Sequence, residues 1–361
     1  MTGAVTARDL LVFGLAFAFT LLLTPAARRI ALRIGFVDRP ASHKFHSAPT
    51  PCLGGLAVAL VVLGSLCIQL VIHPNLRDRV LAFGIGAALV GGIGLVDDWR
   101  GLGITPRLAA QSAAAIVLWL GGIRLQPSGL EPLDLVVTVL MVLLLTNSIN
   151  LLDNMDGIAA GTVAIAMLCC YVMATWQGQL VIAPLSLTVA GTCLGFLRYN
   201  FPPARIFLGD AGSLLLGFCL AAILIEVSIP QDPLVTRMVA GALIVAVPLF
   251  DTTLVVVSRW RGGRPVLRGA TDHLSHRLRR SGLTPRGTAI AIYLLSGASG
   301  ALGLVLVRSA NGLMATTILA SLLVALPILI RALERPAPTG AKTSRIANTS
   351  PQARDTLRGA N

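Results

Sequence analysis

The sequence predicts an all-α fold, a polytopic integral membrane bundle of about eleven spanning helices. Three observations carry this. Of 361 residues, 55% are hydrophobic and only 12% are charged, whereas a soluble domain carries about 25% charge. The apolar residues come in unbroken runs close to the roughly 20 residues that cross a bilayer as a helix; a β-barrel would instead alternate in short segments. Most of the 29 Lys and Arg fall in alternate connections, which is the positive-inside pattern. The net charge of +13 is therefore a matter of topology, and no nucleic-acid partner is expected.

Leu10–Ala27 is the first span. It is too long and too weakly flanked for a cleaved signal peptide, so it reads as a retained helix. Leu53–Ile72 and Val80–Val96 follow, then Leu108–Ile123, short enough for a tilted or partly re-entrant segment, and Leu133–Ser148. Gly157–Trp176 and Val181–Leu197 are full-length runs, and Gly212–Val227 is again short. Val235–Ser258, Gly287–Val307 and Gly312–Ala332 complete the series. Residues 1–335 form one transmembrane domain. Residues 336–361, polar and without apolar period, read as a disordered tail. The charge asymmetry puts the N-terminus outside and the C-terminus in the cytoplasm. The six Cys lie in or beside apolar runs with no CxxC spacing and read as small packing residues.

The chemistry sits in the connections assigned to the cytoplasmic face. Asp97 and Asp98 end a glycine-rich run. Adjacent carboxylates repel unless a cation or proton lies between them, so the pair points to Mg²⁺ or to a general base. In NSINLLDNMDG, Asn147, Asn150, Asp153 and Asp156 recur every three residues, placing four oxygen-bearing side chains on one predicted helix stripe. Asp210 precedes Gly212 and Ser213 at a predicted helix start, where backbone N–H groups can face an anion. Phe207 beside it can stack on a base. His273 and His276 stand among Arg259, Arg261, Arg264, Arg268, Arg277, Arg279 and Arg280. No further ligand suits zinc, so a phosphate pocket fits better, with Arg277, Arg279 and Arg280 read as inside-face anchors. Lys44 and His46 lie ahead of PTPCLGG. His43 and His73 receive no role. Asp251, about two turns inside the ninth run, is either functional or the partner of a buried polar group.

Five motifs then carry a resemblance over Asp38 to Arg286. In order they are DRPASHKFHSAPTPCLGG at Asp38, DDWRGLG at Asp97, NSINLLDNMDG at Asn147, NFPPARIFLGDAGS at Asn200 and DHLSHRL at Asp272. The chain resembles the polyprenyl-phosphate N-acetylhexosamine-1-phosphate transferases, which include the phospho-N-acetylmuramoyl-pentapeptide transferases. The resemblance implies Asn150 and Asp210 as ligands of Mg²⁺, with Mn²⁺ as a substitute. It implies Asp97 and Asp98 at the lipid phosphate, and Asp153, Asp156, Asn200 and Phe207 around the uridine and diphosphate. Asp97, Asp98, Asp156, His273 and His276 are the expected catalytic set. Lys44, His46, Asn147, Asp153, Asn200, Phe207 and Arg264 are the expected substrate contacts. Two departures are Asn154, where many relatives have Gly, and Ser275, where many have His. The Asp-His-Leu-x-His-Arg form is closer to the N-acetylglucosamine branch than to the muramoyl-pentapeptide branch.

The implied partners are a UDP-N-acetylhexosamine and polyprenyl phosphate in the membrane, with a homodimer compatible. The implied location is the inner (plasma) membrane, with the site on its cytoplasmic face. A transporter is the rival from another class, but it expects acids at mid-bilayer and paired broken helices. Here, apart from Asp251 and Glu226, the acids gather at one surface.

Overall fold

The computed structural model describes residues 5–38, 49–228, 233–264, 272–309 and 311–334. The first helix, α1 (Ala7–Ile34), starts on a capping box in which Thr6 and Asp9 bond each other's backbone N–H, and stops at left-handed Gly35. A two-residue antiparallel pair, β1 (Val37–Asp38) with β2 (Thr50–Pro51), leads into α2 (Gly54–Ile72). After a 3-10 turn come α3 (Arg77–Arg100) and α4 (Ile104–Leu120), separated at left-handed Gly101. Next are α5 (Glu131–Leu152), α6 (Ile158–Trp176), α7 (Ile182–Asn200) and α8 (Gly209–Glu226). The chain continues through α9 (Leu234–Ile244), α10 (Ala246–Arg261), the short α11 (Leu274–Arg280), α12 (Pro285–Ser309) and α13 (Gly312–Glu334).

Among the described residues, nine helices are long and apolar enough to cross a membrane: α1, α2, α3, α5, α6, α7, α8, α12 and α13. The fourth expected span, α4, has 17 residues and falls short of that length. The eighth is no re-entrant piece. Its 18 residues form the central post of the bundle, and 83% of the span is buried. It packs against α2, α3, α5, α6 and α7.

The ninth expected span is corrected more deeply, because Val235–Ser258 is two helices bent by 80° at Val245. Pro248 supplies the physical reason. It has no N–H to return to the carbonyl of Ile244, so one rung of the ladder is lost at the bend. Glu226, expected inside the membrane, is the last residue of α8 and pairs with Arg79 at 2.9 Å. The proposed tail, residues 336–361, lies outside the described residues.

Close approach of backbones sets the geometry at one end of α8. A Cβ added at Gly55 would lie 2.2 Å from the Gly212 nitrogen, and one at Gly94 would lie 2.5 Å from the Asp210 carbonyl oxygen. Only glycine lets α2 and α3 reach the start of α8 this closely. Further along, Phe83 and Phe218 fill the widening gap edge to face, with centroids 5.8 Å apart.

Candidate active site

The loop from Asn200 to Gly209 is the hub that the other motif segments grip. The segment before α2 binds it by backbone: Phe207 N–H donates to Pro51 O at 2.8 Å, while Gly54 and Gly55 donate to Phe207 O and Leu208 O. The acidic end of α3 binds its far side. Asp98 accepts from the N–H groups of Asp210 and Ala211 at 2.8 and 2.9 Å. A carboxylate there complements the positive end of α8 and satisfies donors that a helix start leaves unpaired. Gly209 has φ +73°, and any Cβ on it would strike Asp98.

Asp97 and Asp98 diverge, each bonding a different segment. Asp97 is 6% exposed. Its Oδ1 accepts from Leu102 N–H and its Oδ2 from Arg107 at 2.9 Å. Both oxygens are thus engaged by protein donors, where the sequence expected a general base.

The predicted four-residue stripe holds for only half its length. The helix α5 ends at Leu152, so Asn147 and Asn150 are helical while Asp153 and Asp156 lie in the turn that follows. Asn150 donates to Asp210 Oδ1 at 2.6 Å and to Ser213 Oγ at 2.9 Å. Asn147, one turn deeper on the same face, does not reach the hub and donates instead to Gln111 on α4 at 2.6 Å and to Leu143 O at 2.8 Å. Asp156 accepts from Ala204 N–H at 2.8 Å. Asn200, expected at the nucleotide, is 2% exposed. It ties two loops, accepting from Gly157 N–H and donating to Ile206 O, each at 3.0 Å. Its contribution is to loop shape.

Asp153 carries the clearest electrostatic signature. Burial pushes its carboxyl well above the usual range, and the charges of Asp210, Asp98 and Asp156 push it further. Burial and the neighbouring acids also raise the Cys52 thiol, so that cysteine is an inert neighbour of the site. Arg107 reaches this cluster, with its Nη1 3.6 Å from Asp210 Oδ2. Crowded carboxylates with a raised proton affinity are what a divalent cation relieves.

Among the described residues no three His, Cys, Asp or Glu side chains form a metal cage. A small ligand set nevertheless fits a cation that keeps its waters and takes phosphate oxygens. For such an ion one carboxylate and one amide suffice. Asp210 and Asn150 are side by side, and the amide turned over would present its oxygen to the same space.

The short α11 completes the site from the other side. Asp251 is fully buried and accepts from Leu274 N–H at 2.6 Å, and its other oxygen lies 2.8 Å from His273 Nδ1. It bonds the first N–H of α11 and orients the imidazole together. The His273 and His276 rings meet edge to face at 5.7 Å. Burial lowers the His276 pKa to about 4, with His273 and Arg280 adding to the shift. His276 is thus neutral near pH 7. Ser275 bonds Asn154, joining α11 to the turn that holds Asp153 and Asp156. Arg264 lies 3.3 Å from Asp272. Lys44, His46 and Arg268 lie outside the described residues.

Two arginines escaped the sequence reading. Arg107 had no visible partner, because Asp97 and Asp210 reach it only through the fold. Arg277, read as a surface anchor, is buried. It donates to Asp272 O at 3.0 Å, Leu333 O at 2.7 Å and Ser258 Oγ at 2.6 Å. It pins α11 to α10 and α13.

Comparison with known proteins gives the family. The family model described as glycosyl transferase family 4 matches residues 80–228. A Bacillus subtilis (strain 168) protein described as a probable undecaprenyl-phosphate N-acetylglucosaminyl 1-phosphate transferase is 35% identical over 298 residues, 80% of this chain and 82% of its own length. A Mycobacterium tuberculosis (strain ATCC 25618 / H37Rv) protein described as decaprenyl-phosphate N-acetylglucosaminephosphotransferase is 34% identical, with 82% of each chain covered. An Escherichia coli O157:H7 undecaprenyl-phosphate alpha-N-acetylglucosaminyl 1-phosphate transferase is 26% identical over 80% of this chain and 81% of its own. The matched stretch contains the Asp97, Asn147 and Asn200 motifs, and with relatives this similar along most of both chains, this multi-pass membrane protein belongs to glycosyl transferase family 4.

Proposed function

We propose that this protein transfers N-acetylglucosamine 1-phosphate from UDP-N-acetylglucosamine to a polyprenyl phosphate, undecaprenyl phosphate being the lipid assigned. A lipid-phosphate oxygen attacks the β-phosphorus of the nucleotide sugar, and the bond from that phosphorus to the bridging oxygen breaks. UMP leaves with the electron pair, and the lipid carries a diphospho-sugar, the first sugar of a cell-envelope polysaccharide.

The single observation that carries this reading is the clamp on Asp210. One carboxylate at the end of a central membrane helix is held by Asn150 at 2.6 Å and approached by Arg107 at 3.6 Å, with Asp98 fixing the backbone beneath it. A lipid phosphate and a water-soluble nucleotide can meet only at such a membrane boundary. Two anions must approach there, so the site needs fixed positive charge and preorganised dipoles.

Asp210 and Asn150 would hold Mg²⁺, with Mn²⁺ as a substitute. The metal, when bound, supplies positive charge that offsets phosphate repulsion and stabilises charge on the leaving UMP. The residues do the positioning. Arg107 holds Asp97 in place and offers its remaining donors to an entering anion. The start of α8 directs its dipole toward the same space. His273, oriented by Asp251, and neutral His276 offer imidazole nitrogens, and Arg264 stands at the approach. Phe207 offers a ring face to the uracil.

A lipid phosphate is already an anion near neutral pH, so attack needs no general base. The engaged oxygens of Asp97 and Asp98 favour this direct route over a covalent aspartyl intermediate. The charge asymmetry of the connections supports placing the site on the cytoplasmic face of the inner membrane, with the N-terminus outside.

The test uses purified protein, Mg²⁺ and undecaprenyl phosphate with a panel of UDP-sugars, reading UMP release. UDP-N-acetylglucosamine and UDP-N-acetylmuramoyl-pentapeptide are then supplied at equal concentration and the lipid product is weighed by mass spectrometry. An N-acetylhexosamine diphospholipid is expected. A muramoyl-pentapeptide lipid as main product overturns the assignment.

A further inference from the structure

Below the Asp210 clamp lies a second polar contact that the transfer reaction itself does not call for. Gln111 on α4 is fully buried. Its Oε1 accepts from Asn147 Nδ2 at 2.6 Å, and its own Nε2 has no partner among the described residues. An apolar side chain would fill this place without leaving a buried donor unpaired. Polar pairs kept inside an apolar interface are best attested as devices that fix register.

The position says which register is fixed. Gln111 stands four residues after Arg107, and Asn147 three before Asn150, so each pair shares a helix face and the neighbours lie about one turn apart. Arg107 and Asn150 are the two residues that reach Asp210 from α4 and from α5. Any slide of α4 along α5 would move these two groups in opposite senses across Asp210. The Gln111–Asn147 bond lies between the same helices, one turn deeper, and opposes that slide.

We infer that Gln111 and Asn147 form a positioning rung that holds Arg107 and Asn150 in register on Asp210. This reassigns Asn147 from substrate contact to support, and it rests on the transferase reading above. The rung touches no substrate, so its loss lowers turnover and leaves substrate affinity nearly unchanged. A displacement approaching 1 Å at a reacting centre costs about 100-fold in rate, so a loss of about 10- to 100-fold in kcat is expected.

The experiment measures kcat and KM for UDP-N-acetylglucosamine in wild type, Gln111→Asn, the swapped pair Gln111→Asn with Asn147→Gln, and the apolar pair Gln111→Met with Asn147→Leu. Shortening Gln111 alone breaks the bond; the swap restores the combined length and rebuilds it. The apolar pair leaves no orphaned polar atom and keeps the protein folded if the others fail.

The inference is supported by a kcat loss of tenfold or more in Gln111→Asn with KM within about threefold, recovered by the swap. In the apolar pair, normal thermal stability with reduced kcat supports it equally. Wild-type kcat in a folded apolar pair overturns it, as does a folded swap that recovers nothing. A rise in KM alone overturns it as well, returning Asn147 to the substrate. Absence of UMP release from wild type would instead sink the transferase reading, so the two failures are distinct.

Discussion

Replacing Gly94 by alanine tests whether the backbone contact between α3 and α8 sets the reaction geometry. The added Cβ would lie 2.5 Å from the Asp210 carbonyl oxygen and 2.7 Å from the Ala211 nitrogen and Cα. Real Cβ contacts do not fall below 3.0 Å and become ordinary at 3.4 Å, so the helices must part by about 0.5 to 0.9 Å. The atoms that resist are backbone, which no rotamer change can move aside. The displaced segment carries Asp210 itself and the N–H groups that Asp98 holds. A shift of that size costs up to about 100-fold in rate, or about 2.7 kcal/mol in the barrier. We expect Gly94→Ala to lower kcat by about 10- to 100-fold.

Gly92→Ala is the control, since a Cβ there meets nothing within 4 Å. It lies two residues away on the same helix and should leave turnover within twofold of wild type. UMP release in detergent micelles reads both variants, with size-exclusion profiles and melting curves to confirm folding. Folded Gly94→Ala with near-wild-type kcat would refute the reasoning, and so would equal losses in the two variants.

Asp98→Asn replaces one acceptor at the start of α8 by a second donor, so it should cost about 1–3 kcal/mol and lower the melting temperature; an unchanged melt would show that α8 does not depend on this cap. For His276 the folded pKa of about 4 lies below the reference value of 6.5, so the unfolded chain binds the proton first. Its stabilising effect is complete above pH 6.5 and fades as pH falls toward 4, by at most about 3 kcal/mol. Melting curves of wild type and His276→Gln from pH 7.5 to 4.5 should diverge in that window, and parallel curves would count against the shift. Excess EDTA should abolish UMP release, and Mg²⁺ should restore it in wild type but not in Asp210→Asn. Full activity in EDTA would remove the metal from the mechanism.

The sequence made the spans and the reactive end of the bundle legible because each depends on local composition. Apolar length reports membrane crossing, and Lys/Arg asymmetry reports orientation, without knowledge of neighbours. What escaped was pairing across the fold. Arg107 looks like any loop arginine until α8 brings Asp210 to it, and Arg277 looks like an inside anchor until α13 covers it. Asp98 accepts from backbone N–H groups of α8, which no side-chain pattern reveals. Pro248 marked a weak point near the break at Val245, since it removes one rung of the ladder, but Pro25 and Pro327 lie inside unbroken helices. Hydropathy alone passed over it, because the residues on both sides are equally apolar.

The central placement of α7 and α8 also bears on how the chain is made. These two spans have mean hydropathies of 1.2 and 1.6 with 72% and 83% of their windows buried, whereas α13 reaches 2.4 at 11%. Lipid sees little of α7 and α8, so they can afford polar groups that an isolated helix would carry into hydrocarbon at a cost. During synthesis each leaves the ribosome before α9, α10, α12 and α13 exist. Their shelter at that moment must come from earlier helices: α1 along α7, and α2, α3 and α5 around α8. The earlier helices α1, α2 and α6 are the surfaces that can receive α7 as it enters the membrane.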